Sequence, residues 1–552
     1  MEAYDIVEQV LRDHSVMVQR RANFERKWRN TELRMSSLGA HFQTVDTQPG
    51  QVGTDKQFDI TATLAGQKFA AAMDSLISPA TQRYHGLVAA ERGVAKKARV
   101  KRWCEEAALV LFARRYRARA NFQAQMFTCY GSIGMYGTSA MFIDRQADRR
   151  ANLYSPAHLS EVYIDEGESG LIDTVHRMRY RSIRVLAQKY GMENLPDKLQ
   201  MQARTDINTR VEVLTCTKPR MDYDPERLDA KGKRFAHYVI LPDCRHLLED
   251  GGYRTFPWAV ARYFAEISNE TYGSGPAQIA MPAINGVNEQ MKTQLRAGQQ
   301  AVHPAILLPT DSLARPFDMR SGALNRGMVN AQGTPMAHPF NNGARLADGE
   351  AMIEQQRLSI NDAFLVTLFR ILIDEGRAIT ATEALLRAQE KGQLLSPTMG
   401  RTQAEHFGAQ IAAELELAFE DGELPPMPME LIEAGGMLEV EYSAPLNRLM
   451  RSEDSIAILR SVEVMGPMAQ IDPDVQHVMK VKEAYREVCE INGVPERLLN
   501  SPEEVAALVA DSQQQAQLQQ LLAAAPVAAS TIKDLSMARA TAGNAPPPIF
   551  AP

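Results

Sequence analysis

The stretch of sequence that decides the fold begins at Tyr272 and reads YGSGPAQIAMPAINGVNEQMKTQLRAGQQAVHP up to residue 304. Its apolar residues recur every three or four positions, which is the period of one face of an α-helix. Pro276 and Pro282 indicate the start of this helix, because proline is tolerated in a first helical turn. His303-Pro304 indicates its end, because the residue before a proline disfavours helical geometry. The apolar stripe comprises Ala280, Ile284, Val287, Met291, Leu295, Gly298 and Val302.

A second helix of the same kind follows after a long interval. Its predicted apolar face comprises Ile353, Ile360, Phe364, Leu368 and Ile371. The intervening residues 304–348 are rich in Gly, Pro and Arg, and they are too many for an ordinary helix–helix connection, which takes a handful of residues. The sequence therefore predicts two paired helices that carry a projecting module. Such a pair is typical of an assembly rather than of an enzyme pocket.

Composition and charge limit the class of protein. The chain has 552 residues, of which 45% are hydrophobic and 23% are charged, as in ordinary globular proteins. Its length predicts about three or four domains, and its net charge of −6 indicates no bulk affinity for nucleic acid. Five scattered cysteines without a C-x-x-C pair favour a reducing cytoplasm over a disulfide framework or a structural zinc site. Neither a secretion signal nor a membrane-spanning run is found, so no membrane partner is expected.

The N-terminal part of the chain is predicted to be helical. One helix is expected over residues 2–35, with Trp28 on its apolar side, and a second from Asp59 to Ser78. Residues 91–120 also keep a helical period and are rich in Lys and Arg. A solvated helix face is favoured for this charged run, and a DNA-binding surface is the alternative.

From about residue 139 to 256 the period changes to that of β-strands. Strands are predicted at residues 140–143, 161–164, 174–180, 211–214 and 235–240. Asp165-Glu166-Gly167 and Gly251-Gly252 are predicted to form turns. A β-rich module between helical flanks gives a fold class of α+β, mainly helical.

The C-terminal part returns to helices. A helix is predicted over residues 401–420, a short strand over 438–442 and a helical block over 451–510. Residues 511–552 are rich in Gln and Ala and then in Pro, which is typical of a partly helical and mostly disordered tail.

No catalytic or metal-binding pattern is found in the sequence. It has no G-x-x-x-x-G-K-[ST] phosphate loop, no G-x-S-x-G elbow and no pair of histidines at metal-ligand spacing. Asp222 and Asp224 resemble a carboxylate pair, but the neighbouring Pro and Arg favour a surface turn. The sequence therefore predicts no enzyme, no cofactor and no metal site.

Five short motifs follow one another along the chain. They are residues 26–34 around Trp28, residues 58–79 with Asp59 near their start and Tyr84-His85-Gly86-Leu87 after them, residues 137–143, the segment Tyr272-Gly273-Ser274-Gly275-Pro276, and residues 380–387 with Thr380, Thr382, Glu383 and Arg387. In this order and at these intervals, over about residues 20–450, they resemble the portal proteins, or head-to-tail connectors, of short-tailed bacteriophages. Thr380 and Glu383 also have the spacing of a capping box, so a structural role is favoured over catalysis there.

The resemblance implies a portal fold with wing, stem, clip and crown. Residues 1–270 would form the wing and 396–447 its continuation. Residues 271–302 and 348–375 would be the two stem helices, and 303–347 the clip. A channel loop would occupy 376–395 and the crown 448–510, although no family motif is found beyond about residue 450.

The resemblance also implies function and partners. The protein would form a homo-oligomeric ring, usually a dodecamer, at one vertex of the virion capsid, after assembly in the host cytoplasm. The ring would conduct double-stranded DNA during packaging and ejection, without sequence preference. Its expected protein partners are the terminase large subunit, the tail adaptor protein, the major capsid and scaffold proteins, and the ejection (core) proteins.

Charged residues of the stem and clip are the candidate contact sites. Lys292, Arg296 and Arg377 are candidates for the DNA channel, because a sparse ring of cations can touch DNA and still release it. Lys292 and Arg296 lie four residues apart, on one helical face with Asn288, so salt bridges between subunits are an equally good interpretation. The candidate partner contacts in the clip are Pro304, Arg315, Phe317, Arg320 and Arg326.

Two other classes remain as alternatives to a portal protein. A capsid or scaffold protein that does not conduct DNA would lack a projecting module between paired helices. A metal-dependent nucleic-acid enzyme would gather its carboxylates in the fold.

Overall fold

The computed structural model describes most of the chain, in two compact units. The described residues are 3–36, 42, 57–146, 151–265, 271–307, 318, 320–326, 328–340, 346–367, 400–443, 445–472, 474–475, 478–491, 494, 498–500 and 504–515. The first unit comprises Met1–Val88, Glu106–Pro426 and Leu438–Asp454, and the second comprises Ala89–Glu105, Met427–Met437 and Ser455–Pro552. This division differs from the predicted one, which assigned residues 89–105 and 427–437 to the wing. Among the helices described, none is both long and apolar enough to cross a membrane.

Helices form the N-terminal part, as the sequence predicts. The elements are α1 (Ala3–Met35), α2 (Thr61–Ile77), strand β1 (His85–Ala89), α3 (Arg92–Ala95), α4 (Ala98–Arg115) and α5 (Phe122–Tyr136). The buried residues of α2 include Ala65, Phe69 and Met73, which follow the predicted apolar spacing.

The prediction that residues 91–120 form a solvated helix face is wrong at Arg114 and Arg115. Arg92, Lys96 and the other exposed cations of residues 91–102 form a solvated surface. Arg114 and Arg115, by contrast, are fully buried and paired with carboxylates. A helical period does not distinguish a buried arginine from a solvated one when its acidic partner is distant in sequence.

Two antiparallel sheets form the β-rich module. Their elements are β2 (Thr138–Arg145), β3 (Asn152–Ala157), β4 (Val162–Glu166), β5 (Ile172–Ser182), α6 (Ile183–Tyr190), α7 (Asp197–Thr205), β6 (Arg210–Pro219), β7 (Phe235–Leu241), β8 (His246–Tyr253) and β9 (Trp258–Arg262). The strand orders are β3-β2-β9 and β4-β5-β6-β7-β8. All five predicted strands are present, and the sequence analysis missed β3, β8 and β9.

The predicted turn at Gly251-Gly252 is wrong. Both glycines lie inside β8, where Gly252 pairs with Ala236 of β7. A Cβ atom on Gly252 would lie 2.6 Å from the carbonyl oxygen of Phe235, so this glycine allows a close approach of two strands rather than a reversal of the chain. Of the predicted turn Asp165-Glu166-Gly167, only Gly167 lies in the reversal of the chain, because Asp165 and Glu166 belong to β4 and pair with β5.

A core of large aromatic residues joins α1, α5 and the sheets. Trp28, Tyr136, Trp258 and Tyr272 are buried in one cluster, with Val162 and other aliphatic residues around them. The Nε1 of Trp28 donates a hydrogen bond to the carbonyl oxygen of Tyr136 at 3.1 Å. Two of the motif segments, around Trp28 and at Tyr272, therefore belong to one core.

The paired helices of the middle segment are α8 (Pro276–Val302) and α9 (Leu346–Ala363). Between them, β10 (Ile306–Leu307) pairs antiparallel with β11 (His338–Pro339). Pro282 lies inside α8 rather than at its start. Helix α9 ends at Ala363, before Leu365 with its positive φ of 58°. The predicted end of the second helix at residue 375 lies outside the described residues. Leu368 and Ile371 fall outside the described residues.

The remaining elements complete both units. They are a π-helical turn (Gln403–Phe407), α10 (Gly408–Glu420), α11 (Met429–Glu433), β12 (Leu438–Tyr442), α12 (Pro445–Ile471), α13 (Val481–Ile491) and a helix over 504–515. Strand β12 pairs with β1. The predicted helix over 401–420, the strand over 438–442 and the helical block after 451 are confirmed within the described residues.

Candidate functional site: the base of the paired helices

Two of the motifs pack backbone against backbone at the start of α8. Helix α5 ends at Gly137, whose φ of 77° favours glycine. A Cβ atom on Gly137 would lie 2.3 Å from the backbone nitrogen of Gly275, and one on Gly275 would lie 2.5 Å from the carbonyl oxygen of Ile133. The backbone N–H of Gly273 donates to Oγ1 of Thr138 at 2.9 Å. Both motifs therefore need glycine, because their two backbone segments cross in close contact.

Tyr272 anchors this crossing to the aromatic core. Its hydroxyl oxygen accepts a hydrogen bond from the backbone N–H of Ile164 at 3.1 Å. Its ring packs edge-on against Trp28, with centroids 5.0 Å apart, and against Phe24 at 5.2 Å. The residue before the glycines therefore ties the start of α8 to α1 and to β4.

The first turn of α8 is capped by its own side chains. Pro276 occupies the first turn, where no backbone N–H is needed. Oε1 of Gln278 accepts from the backbone N–H of Gly275 at 2.6 Å, while its Nε2 donates to the carbonyl oxygen of Met135 at 3.1 Å. These bonds fix the direction in which α8 leaves the wing.

Asp59 joins both paired helices at one point. Its Oδ2 accepts two hydrogen bonds from Arg357 of α9, at 2.6 Å from Nη2 and 3.0 Å from Nε. Its Oδ1 accepts the backbone N–H of Thr61 at 2.8 Å, at the start of α2. From α8, Oδ1 of Asn288 accepts the backbone N–H groups of Phe58 at 2.8 Å and Asp59 at 3.2 Å. We call Asp59, Asn288 and Arg357 the stem clamp.

Within the stem clamp, Asp59 and Arg357 are both stabilised in their charged forms. Burial would raise the pKa of Asp59, but hydrogen bonds from Thr61 and Arg357 outweigh it, and the pKa lies below its usual value. The hydrogen bond to Asp59 raises the pKa of Arg357. Asn288 is buried, and its Nδ2 donates to the carbonyl oxygen of Ile284 at 2.8 Å, which orients its amide.

The predicted channel residues differ in their surroundings. Nζ of Lys292 lies 3.8 Å from a carboxylate oxygen of Glu289 and 5.7 Å from the centre of the Phe58 ring. Arg296 is exposed and has no ion pair with any described residue. Asn288, predicted to share their face, contacts Phe58 as Lys292 does, and it belongs to the stem clamp. Arg377 lies outside the described residues.

The outer half of the paired helices has an exposed apolar face among the described residues. Ala280, Ile284 and Val287 are buried as predicted, but Leu295 and Val302 of the same stripe are exposed. Between α8 and α9 they line an apolar groove of about 1050 Å³, with Glu350 and Glu354 at its rim. The apolar period therefore predicts a contact face that the described residues leave open.

Residues 303–347, predicted to form the clip, include the two-stranded pair of β10 and β11. Pro304 lies half-buried before β10, and Phe340 after β11 donates its backbone N–H to the carbonyl oxygen of Ala305 at 2.7 Å. Arg320 is exposed and pairs with Asp318 at 2.6 Å, and Arg326 is exposed. Arg315 and Phe317 fall outside the described residues, as do Thr380, Thr382, Glu383 and Arg387 of the last motif.

A buried arginine holds the same base from the other side. Arg262, at the end of β9, donates to both carboxylate oxygens of Glu405, from Nη2 at 2.8 Å and from Nε at 3.1 Å. It also pairs with Glu166, at the end of β4. Burial opposes the charge of Arg262, but Glu405 outweighs it and raises the pKa of the guanidinium. The π-helical turn that carries Glu405 is thereby bound to the end of β9.

Comparison with known proteins identifies the family. The profile described as "Bacteriophage head to tail connecting protein" matches residues 8–499. The chain belongs to this family. It is 24% identical to the portal protein of Salmonella phage epsilon15, over 96% of this chain and 95% of that protein. It is also 24% identical to a probable portal protein of Bordetella phage BPP-1, over 90% of this chain and 89% of that one.

The resemblance to portal proteins is therefore confirmed, and with it the assignment as a head-to-tail connector of a bacteriophage virion. A solved structure described as the virion of a native gene transfer agent particle is also similar. It is 12% identical with a TM-score of 0.32, covering 71% of this chain and 88% of that chain. This score is too low to support an argument about the fold.

Sequence reasoning missed the residues that hold the base together. Arg357, Arg262 and Glu405 make the ion pairs described above, and the sequence analysis gave Asn288 no role of its own. The partners of these residues lie roughly 140 to 300 positions away along the chain, so no local spacing could reveal them. The glycines were found only because they form recognisable motifs.

Proposed function

We propose that this connector acts as a portal ring, a conduit for double-stranded DNA at one capsid vertex. Family membership and similarity to portal proteins over nearly the whole chain support this function. The observation that carries the proposal is the pair α8 and α9, clamped at one end by Asp59 and ending in the β10–β11 base at the other. In the ring, residues 271–302 and 348–375 form the stem, 303–347 the clip, 376–395 a channel loop and 448–510 the crown, and residues 1–270 with 396–447 form the wing.

The uncovered apolar groove between α8 and α9 supports an oligomer. Exposed stripes of this kind on a helix pair are usually covered in the functional assembly. A ring of twelve copies would bury such faces between neighbours and give every copy an identical environment. A virion location at the portal vertex, after assembly in the host cytoplasm, follows from this role.

The charge of the stem suits passage of DNA rather than capture. Each phosphate contact strengthens binding through counterion release, so a densely basic channel would hold DNA. Arg296 is the exposed cation on α8 and Lys292 is partly neutralised by Glu289. Arg296, Lys292 and Arg377 are therefore proposed as sparse contacts to the DNA backbone, with no catalytic role.

The clip is proposed as the docking site for the terminase large subunit during packaging and for the tail adaptor afterwards. Its exposed Arg320 and Arg326 and the half-buried Pro304 combine charge with apolar area, as protein interfaces do. Arg315 and Phe317 belong to the same proposal. Contacts with capsid, scaffold and ejection proteins are proposed for the wing and the crown.

Particle imaging tests the ring directly. The full-length protein is imaged by negative-stain electron microscopy, and mass photometry is recorded on the same sample over a concentration series. Rings with a central hole and a mass near twelve copies are expected. A compact dimer that cleaves DNA in the presence of Mg²⁺ would refute the proposal, and solid oligomers without a hole would favour a capsid or scaffold role.

A further inference from the structure

The turn between α3 and α4 projects a group of cations into solvent. All of them are exposed, and none forms an ion pair or a side-chain hydrogen bond with any described residue. Glu91, which is also exposed, directly precedes the group, and no acidic residue lies within it. Arg102, further along α4, differs because its Nη2 lies 3.5 Å from a carboxylate oxygen of Glu504. We call the group the α3–α4 patch, and its members are Arg92, Lys96, Lys97 and Arg99.

The backbone beneath the α3–α4 patch is fixed. Val94 and Val100 are buried, so both sides of the turn are anchored by apolar side chains. The backbone N–H of Lys97 donates to the carbonyl oxygen of Val94 at 3.0 Å, and the carbonyl oxygen of Lys97 accepts the N–H groups of Val100 and Lys101 at 3.0 Å. Binding of a partner therefore orders only the long side chains, which limits the loss of conformational entropy.

The position of these cations does not stabilise the fold. The first turn of α4 contains no acidic residue, although the positive end of a helix dipole favours Asp and Glu there. The turn instead contains Arg99, and Lys97 lies just before it. Like charges this close in a helical segment also repel one another. A group of residues that opposes local stability is typical of a functional surface, and its charge indicates an anionic partner.

The surroundings of the patch indicate which kind of anion it suits. The apolar residues Val94, Val100 and Trp103 are all buried, and the other uncharged residues of 92–99 are glycine and alanine. Protein interfaces are usually built around aromatic and aliphatic residues, single-stranded nucleic acid stacks on aromatic rings, and a membrane surface takes up apolar side chains. The patch offers charge alone, which is what the phosphate backbone of a DNA duplex requires.

The spacing of the cations also suits a DNA strand. At the helical rise of about 1.5 Å per residue, the chain from Arg92 to Arg99 spans about 10 Å. Each strand of a DNA duplex has one phosphate for every 3.4 Å or so of helix axis, so about three phosphates of one strand lie along this length. Four long cationic side chains are therefore enough to contact about three consecutive phosphates.

We propose that the α3–α4 patch binds the phosphate backbone of double-stranded DNA without reading its sequence. The inference rests on the proposed function, which supplies DNA as the polyanion that this protein meets. It adds a DNA contact outside the paired helices and of a different kind. The candidate cations of α8 are sparse and suit passage, whereas the patch is dense and suits retention. The patch belongs to the second unit, which also contains most of the residues predicted to form the crown.

Removal of the patch charges tests the proposal on the full-length protein. The patch variant combines Arg92→Gln, Lys96→Gln, Lys97→Gln and Arg99→Gln. Fluorescence anisotropy measures its affinity for a short labelled duplex over a series of salt concentrations, beside the wild type. Two duplexes of unrelated sequence should bind the wild type equally well, because phosphate contacts carry no sequence information.

The expected change follows from counterion release. Each phosphate contact contributes about −0.9 to the slope of log affinity against log salt concentration, so about three contacts contribute about −2.7 for every copy that engages the duplex. The patch variant should lose this part of the slope. Between about 50 mM and 200 mM salt, these contacts weaken binding of the wild type by about 40-fold, and the patch variant should lack this factor.

The matched control removes the same charge from scattered sites. Its four cations are exposed and unpaired among the described residues, and they are spread over α1, α2 and α7: Arg12, Arg29, Lys68 and Lys198. Their replacement by glutamine gives the same net charge as the patch variant, and the salt slope should stay at the wild-type value. The patch variant should melt at the wild-type temperature or above it, because it removes cations from the positive end of α4.

The outcomes decide between the possible partners. A wild-type salt slope in the patch variant would overturn the proposal. Equal losses in the patch variant and the control would also overturn it, because binding would then follow the net charge of the chain. Polyglutamate serves as a probe for an acidic protein. A patch variant that binds DNA normally but no longer binds polyglutamate would assign the patch to such a protein and overturn the DNA contact.

Electron microscopy of the same samples separates this inference from the proposed function. Rings are expected from the wild type, the patch variant and the control, because the substituted side chains are exposed and unpaired among the described residues. Rings in all three samples with unchanged DNA binding in the patch variant would overturn the inference alone. Wild-type protein that forms no rings would overturn the proposed function, and the salt slope would still decide whether the patch binds DNA.

Discussion

Replacing Asn288 by alanine tests whether the stem clamp holds α8 to the segment before α2. The substitution removes the Oδ1 atom that accepts two backbone N–H groups, those of Phe58 and Asp59. Asp59 is buried, so its N–H cannot recover a full hydrogen bond to water. The ion pair between Asp59 and Arg357 keeps its own atoms, which confines the perturbation to α8.

The magnitude follows from the burial of these donors. A buried donor left without a partner costs about 1–3 kcal/mol. If local opening of this segment becomes easier by that amount, hydrogen exchange of its amides accelerates by about 5- to 150-fold, since each 1.36 kcal/mol is a factor of ten. The larger value applies to the N–H of Asp59, and the smaller one to the partly exposed N–H of Phe58.

Hydrogen–deuterium exchange read by mass spectrometry measures this change in a peptide that spans residues 57–60. The matched control is Asn285→Ala, one turn earlier on α8. The Oδ1 of Asn285 is buried but has no hydrogen-bond partner in the described part of the chain. This control should leave exchange at residues 58 and 59 at the wild-type rate.

Unchanged exchange in Asn288→Ala would refute the clamp as an energetic contact. Equal acceleration in both variants would also refute it, because the effect would then belong to α8 as a whole. Acceleration confined to Asn288→Ala would establish that the clamp holds the base of the paired helices.

Three further predictions concern stability. Glu414→Gln should destabilise the first unit by about 3–5 kcal/mol, because it leaves the buried Arg115 without a counter-charge; an unchanged urea midpoint would contradict this. Gly275→Ala should lower the free energy of unfolding by about 1–3 kcal/mol, because its Cβ clashes with the carbonyl oxygen of Ile133. The control Gly298→Ala has open space around its Cβ and should be neutral or stabilising. Equal melting temperatures of the two variants would contradict this prediction. Stability should fall as the pH drops below about 6.5, by about 2 kcal/mol per buried histidine at pH 5, because burial lowers the folded-state pKa and the unfolded chain then binds protons that the folded chain does not. The effect is expected from His14 and His237, with pKa about 4, and from His176 and His406, with pKa about 3. Equal free energies of unfolding in urea at pH 7 and pH 5 would exclude it.

Periodicity predicted the elements whose signal is local. The stripe of α8 from Ala280 to Val287 and the strands at 174–180 and 235–240 were found because each element buries one regular face. Strand β8 was missed because Gly251 and Gly252 were interpreted as a turn. Gly252 lets β7 approach closely, which depends on the neighbouring strand and not on the local sequence.

The base of the paired helices could be predicted only in part, because the local sequence does not show contacts with distant segments. Tyr272, Gly273 and Gly275 form a compact motif, and the structure brings them together with Gly137. The ion pairs that complete the base, Asp59 with Arg357 and Arg262 with Glu405, join residues far apart in sequence. A charged residue in a helix gives no local sign of whether its partner is water or a distant carboxylate, which is also why Arg114 and Arg115 were misjudged.

Four of the described motif residues, Tyr272, Gly273, Gly275 and Asp59, act at the base of the paired helices. Tyr272, Gly273 and Gly275 set the exit direction of α8, and Asp59 fixes α9 against it. In a ring, a small error in this exit angle would be repeated in every copy and would grow along α8, which is about 40 Å long at 1.5 Å per residue. The diameter of a central channel would therefore depend on contacts that touch no DNA. Substitutions at the stem clamp should alter ring geometry and the passage of DNA even when every candidate contact residue, Arg296 included, is left in place.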